Sequence, residues 1–303
     1  MSGQSPTVRV AAVQCSSKMG SKEGVQANAV KMERMAREAA HAGAKIIVFP
    51  EACLTGYTSQ AFLHNWHVPG RHLEARFAGI NPRGIVPTAA SAEVRRLVTL
   101  AGELGVYMSI PFVEEADADQ ETSEAHASHV YYNTVILASP EGKVAAHYRK
   151  ANLWPYVDKS WATAGHSPAV VETEYGRVGL GVCFDIHRIH KLYAQEPALW
   201  TLLYSVAWVG DREAGPTEQW FRQDLSRQYL GRDTLCCNVI AANWSVDTEY
   251  KWDGAGYSSI YNHRGERIAS LRTEVGDEIL YAELPMAASR ASGLQTSTET
   301  EEA

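Results

Sequence analysis

The chain has 303 residues, 45% hydrophobic and 21% charged, a balance that supports a sizeable core without disulfide or metal staples. A formal charge of −7 argues against a nucleic-acid backbone as partner, which would want a basic face. No run reaches the ~18 apolar residues of a membrane helix, and the first apolar stretch, VRVAAVQC, is strand-sized rather than a secretory signal.

Val8–Cys15 reads as a buried strand, a continuous apolar run bounded by polar residues. Val25, Ala29, Met32, Ala36 and Ala39 then recur at intervals of four and three, one apolar stripe of a helix closed by Gly43. KIIVF, ending at Pro50-Glu51, is a β-branched strand, and strand–helix–strand order predicts a layered α/β fold. Residues 58–90 mix aromatics, histidines, prolines and glycines and are expected to form a long loop. A helix over Ala92–Leu104 and a strand over Val106–Val113 follow, then an exposed acidic loop from Glu114 to Ser128. Tyr131–Ala138 and Val144–Tyr148 flank the turn signal Ser-Pro-Glu-Gly.

A second cycle runs through a strand at Arg177–Cys183, a short helix near 189–197 and a strand at Trp200–Ala207. It continues with a helix from Pro216 to about Cys236 and a strand at Val239–Asn243. A late hairpin (Gly256–Tyr261 and Arg267–Ser270) and a last strand at Glu278–Glu283 complete the order. No low-complexity linker divides the chain, so residues 1–285 are expected to form one domain, followed by a polar acidic tail at 286–303. The five cysteines, Cys15, Cys53, Cys183, Cys236 and Cys237, have no disulfide-framework spacing. Free thiols point to a reducing, cytoplasmic setting, with Cys53, Cys236 and Cys237 read as buried.

Three residues stand at or just past strand ends: Glu51 in VFPEACLTGY, Lys150 in HYRKANLWP and Cys183 in GLGVCFDIH. Carboxyl ends of strands in α/β sheets commonly present catalytic groups. Alone, each is weak evidence, since a free cysteine is usually an inert buried residue and a loop Glu or Lys a solvated charge. Together they supply what thiol attack on an amide needs. A carboxylate can take the thiol proton, and an ammonium with the backbone N–H of Phe184 can hold the developing oxyanion. His64 and His67, and His187 and His190, sit three apart, but no third and fourth metal ligand accompanies either pair. His187 lies close enough to Cys183 to line its pocket. Trp154, Tyr156, Trp161 and Trp208 are further candidates for the walls around an acyl group, with ordinary core packing as the alternative.

The three motifs resemble, in the right order, the glutamate, lysine and cysteine motifs of the nitrilase superfamily. YSVAWVG, GRDTLCCNVIAANW and GYSSIYNHRGERIAS are similar to its later elements, so the resemblance spans roughly residues 8–285. It implies a four-layer α-β-β-α sandwich, no metal or organic cofactor, a small-molecule amide substrate and assembly into a homodimer or higher homo-oligomer. It assigns Cys183 as nucleophile, Glu51 as general base and Lys150 as oxyanion stabiliser. Cys183-Phe184-Asp185 matches the amidase and carbamoylase pattern rather than the Cys-Trp-Glu of true nitrilases. The alternatives are an N-carbamoyl amino-acid or amine hydrolase, with Arg188 as candidate carboxylate binder, a nitrilase, and a non-catalytic binding protein on the same scaffold. Two departures stand out. Where amidase-like members carry a second glutamate, this chain has Asp158, with Glu114 and Glu115 as rival acids read as surface charges. Ile186–His190 replaces the usual residues after the nucleophile.

Overall fold

The computed structural model describes residues 6–18, 22–56, 92–116, 130–208, 216–231, 234–247, 252–253, 256–271 and 276–287. The expected 58–90 loop with His64 and His67, most of the acidic loop and residues 288–303 of the tail lie outside them. Two six-stranded mixed sheets face each other. The first has the order β14-β1-β2-β3-β4-β5: Glu278–Pro285, Thr7–Gln14, Ile46–Val48, Tyr107–Ala116, Val130–Ala138 and Val144–Arg149. The second has the order β13-β12-β9-β8-β7-β6: Arg267–Ser270, Ser259–Tyr261, Asn238–Ala242, Thr201–Ser205, Gly176–Val182 and Val170–Thr173. A two-stranded ribbon, β10 (Val246–Asp247) with β11 (Trp252–Asp253), stands apart from both.

Both sheets are built alike. β1, β2 and β3 run parallel and are flanked by antiparallel β4 and β14. β7, β8 and β9 run parallel and are flanked by antiparallel β6 and β12. The repeated strand–helix–strand unit of the sequence is therefore a repeated half-structure.

Three apolar layers separate four structural ones. Val10, Ala12, Ile46 and Val48 of the first sheet meet Val178, Leu180, Leu203 and Ile240 of the second. The alternate residues Ala11, Val13 and Ile47 turn outward against Val25, Met32, Ala36, Leu97 and Ala101 on helices α1 (Lys22–His41) and α2 (Ala92–Leu104). Because side chains alternate across a strand, continuous apolar runs are what a sheet covered on both faces requires. On the far face, Leu202, Tyr204, Val239 and Ala241 pack with Ile189, Trp220, Phe221 and Leu225 of short helical segments. These are α3 (Ile189–Leu192), α4 (Pro216–Gln219) and α5 (Leu225–Tyr229), with a π-type turn, Trp220–Asp224, joining the last two. This is the expected α-β-β-α sandwich.

Several boundaries differ from expectation. The strand expected to end at Val113 continues as β3 to Ala116, so Glu114 belongs to the sheet and is fully buried, not an exposed loop charge. The helix expected to reach Cys236 stops at Tyr229, because Leu230 is extended and Gly231 adopts φ 111°, a conformation favouring glycine. Cys236 therefore lies in a connection and is exposed, and only Cys237 and Cys53 of the three thiols read as buried are so. The helix expected to run to 197 ends at Leu192, and Tyr193 instead sends its hydroxyl to the backbone of Leu180.

Candidate active site

Glu51, Lys150 and Cys183 all lie just beyond the carboxyl ends of strands, β2, β5 and β7 respectively, and the facing of the two sheets brings them together. Glu51 and Lys150 are sealed from solvent, whereas Cys183 keeps partial access. Lys150 Nζ donates to Glu51 Oε1 at 2.7 Å and forms an ion pair with Asp158 Oδ2 at 2.6 Å. Asp158, eight positions past Lys150, is itself fully buried and also accepts the Trp154 amide N–H at 2.9 Å. The shorter carboxylate thus pairs with Lys150 beside Glu51. Its rival Glu114 goes elsewhere, to Thr134, His147 and Arg149.

Glu51 is held from four sides. Asn133 Nδ2 donates to Oε1 at 2.7 Å and the Ala207 amide to Oε2 at 3.0 Å. Its own carbonyl accepts from Trp244 Nε1 at 2.7 Å and its N–H bonds to Val206. Burial raises the Glu51 pKa, opposed by Lys150 and by the Asn133 hydrogen bond. The Asn133 Oδ1 beside it has no protein partner. Burial lowers the Lys150 pKa, but the charges of Asp158 and Glu51 outweigh it and keep the group an ammonium. Burial, reinforced by Glu51, pushes the Cys183 thiol up, against Lys150 and the Ala207 N–H. The resting sulfur is therefore a thiol that needs a base.

The nucleophile turn is strained and clamped. Cys183 has φ 40°, a left-handed backbone unusual for a non-glycine residue. Its carbonyl accepts from the Tyr204 hydroxyl at 2.7 Å. Asp185, in the Cys183–His187 turn, accepts from the Val182 amide at 2.9 Å, the Tyr148 hydroxyl at 2.7 Å and the amides of Ala151 and Asn152 at 3.1 and 2.7 Å. Since Ala151 and Asn152 directly follow Lys150, this one carboxylate bolts the cysteine turn to the lysine loop. Burial pushes its pKa up to about 6, with Lys150 and these hydrogen bonds holding it from rising further. On the other side of Lys150, Gly165 donates to its carbonyl at 2.9 Å, and an added Cβ would collide with the Arg149 carbonyl oxygen.

The remaining candidates divide. Phe184 follows the nucleophile, and its carbonyl accepts from Asn152 at 2.8 Å. Phe184, His187 and Trp208 join one aromatic cluster with Trp220 and Tyr229. His187 gives its Nδ1 contact, at 2.6 Å, to the Tyr229 hydroxyl rather than to a metal or the thiol, and His190 is exposed. Trp154 touches Tyr156 edge-on at 6.1 Å, and Tyr156 is 66% exposed, so it encloses nothing by itself. Among the described residues no group of three or more His, Cys, Asp or Glu side chains could hold a metal ion, and no helix is long and apolar enough to cross a membrane.

Sequence reasoning missed Asn133, Tyr148, Tyr204 and Trp244, and used Asp185 only to separate amide from nitrile chemistry. The available signal was a polar residue inside an apolar strand, as Asn133 is in VYYNTVILA. Such a residue demands a buried partner.

The chain resembles the omega-amidase NIT2 of Homo sapiens, 25% identical over 261 residues that cover 82% of this chain and 80% of that protein. Among solved structures it resembles Saccharomyces cerevisiae Nit3, of the nitrilase superfamily, with TM-score 0.65 and 22% identity over 92% of this chain and 90% of that one. It also resembles an amidase from Nesterenkonia sp., with TM-score 0.63 and 19% identity over 93% and 92%. The carbon–nitrogen hydrolase family profile matches residues 9–292, and the chain belongs to that family.

Proposed function

We propose that the protein hydrolyses a carboxylic amide to an acid and ammonia through a thioester on Cys183. The observation that carries this reading is the buried Glu51–Lys150–Asp158 chain acting on a partly accessible, strained thiol. Glu51 takes the thiol proton as sulfur attacks the amide carbon. The carbonyl oxygen becomes an anion facing the Lys150 ammonium and the Phe184 N–H. The C–N bond breaks and Glu51 hands its proton to the departing nitrogen. Water, deprotonated by Glu51, then attacks the thioester and returns the thiol.

Asp158 serves as the fourth acid by keeping Lys150 charged and aimed. The similarity to an omega-amidase supports amide over nitrile chemistry. Arg188, the candidate carboxylate binder of an N-carbamoyl hydrolase, is exposed, which favours the amide reading. The same proposal includes assembly of two or more copies and a reducing, cytoplasmic setting, which light scattering and fractionation check. Ammonia release from a panel of amides, carbamoyl compounds and nitriles tests the reaction. Turnover of amides is expected; turnover of nitriles alone overturns the assignment.

A further inference from the structure

The aromatic cluster next to the nucleophile has a composition that the hydrolytic chemistry does not explain. Phe184 and His187 belong to the nucleophile turn, with ring centroids 4.5 Å apart. Trp208 follows Ala207, whose N–H bonds Glu51 and faces the Cys183 sulfur. Trp208 stacks on Trp220 at 4.8 Å and 23°, and Trp220 and Tyr229 both meet the His187 ring. Cys183 packs against this same cluster.

Two features define what such a wall recognises. It carries no charge: burial lowers the His187 pKa, so the ring is neutral at neutral pH. The charges that act on the thiol are the two carboxylates Glu51 and Asp158 against the single ammonium Lys150. That ammonium is already paired with both carboxylates, so an acyl group bearing its own carboxylate would find its charge spent and meet a surplus of negative charge. The second feature is unused donors. The indole N–H groups of both Trp208 and Trp220 are buried and have no hydrogen-bond partner. Trp220 is 7% exposed overall. Buried donors are ordinarily paired, and an unpaired one is costly unless something else arrives to accept it.

Resting on the amidase reading above, we propose that Phe184, His187, Trp208 and Trp220 form the acyl subsite for a flat, uncharged carboxamide carrying a hydrogen-bond acceptor, a heteroaromatic carboxamide rather than the monoamide of a dicarboxylic acid. Aromatic faces favour a planar ring by offset or edge contacts. An acceptor in that ring satisfies an indole N–H that a plain hydrocarbon leaves orphaned. This departs from the activity for which the omega-amidase relative is named.

The test is ammonia release by the full chain from pyridine-3-carboxamide, benzamide, propionamide and succinamic acid. The expected order of kcat/KM is as written, with succinamic acid roughly ten-fold or more below benzamide. Trp208→Leu should lower the benzamide-to-propionamide ratio. Trp220→Phe keeps a ring and removes the donor, so it should lower only the pyridine-to-benzene ratio; both readouts are ratios that general loss of folding leaves unchanged. Succinamic acid as best substrate, or ratios unmoved in both variants, overturns the inference. Equilibrium binding to Cys183→Ala separates the two levels. If pyridine-3-carboxamide binds but no amide is turned over by the wild type, the hydrolytic reading falls and the subsite stands. If succinamic acid binds and pyridine-3-carboxamide does not, the subsite falls whatever the turnover.

Discussion

Replacing Lys150 by Met leaves Glu51 and Asp158 buried around a vacancy of charge. Nζ lies 2.7 Å from one carboxylate and 2.6 Å from the other, and neither side chain has solvent to turn to. At an effective dielectric of about 20, each such contact is worth about 6 kcal/mol of attraction. Much of that is offset by the desolvation of the ammonium. What the variant loses is dominated by the two carboxylates left uncompensated, and breaking a buried pair in this way costs about 3–5 kcal/mol. For a chain of this length that corresponds to roughly 5–8 °C in Tm. The sign of the pH effect follows from linkage. In the variant Glu51 loses the ammonium that opposes the upward push of burial, so its folded pKa rises further above the unfolded one, and the associated stability is present at low pH and lost as pH rises. Thermal melts followed by circular dichroism should therefore show a Tm deficit that is larger at pH ~8 than at pH ~5. Adding Asp158→Asn should recover part of the deficit at the higher pH. A deficit of equal size at both pH values, or one below ~1 kcal/mol, would refute the ion-pair account.

Asn133→Leu removes a hydrogen bond that lowers the Glu51 pKa. The base must be ionised, so the acid limb of the kcat/KM profile should lie higher in the variant than in the wild type; an unmoved limb removes Glu51 from the role of base. Asp185→Asn places an amide NH2 among four donors, so at least one buried N–H or hydroxyl loses its acceptor at a cost of about 1–3 kcal/mol. Activity should fall with it, measured by melts and turnover, because the cysteine turn and the lysine loop are no longer bolted together. Glu114→Gln breaks the pairing with Arg149 and His147, which should cost about 3 kcal/mol. Those partners overcome burial and hold Glu114 below the usual carboxylate range. Its stabilisation is thus present above the unfolded value and lost as pH falls, and the variant's Tm should vary less than wild type across acid pH.

Much of this molecule is legible before any coordinates. Apolar runs such as VRVAAVQ and KIIVF mark strands covered on both faces, and the three motifs single out Glu51, Lys150 and Cys183 because each stands just past the carboxyl end of a strand. Glu114 is illegible in the sequence because one acidic residue at a strand end looks like the start of the acidic loop that follows it. Only its partners on the next two strands, Thr134 on β4 and Arg149 on β5, reveal that it is buried. The end of the helix after Pro216 is hard to see in the sequence because Gly231 is a single residue in an otherwise apolar-periodic stretch. The resemblance and the spacing make Asp158 a candidate, whereas its contact with Lys150 depends on how the 151–158 segment folds back. Asn133, Tyr148 and Tyr204 stayed hidden because their significance is tertiary: each is an ordinary strand residue until the second sheet, or the loop at its end, is set against it.

The claim on which the rest depends is that Cys183 carries the acyl group. Rapid quenching during turnover of an amide, followed by intact-mass and peptide-mass measurement, reads this directly. The account predicts a mass increase equal to the acyl group, located on the peptide containing Cys183, and neither adduct nor ammonia release from Cys183→Ala. An acyl group on any other residue, or turnover by Cys183→Ala equal to wild type, would contradict it.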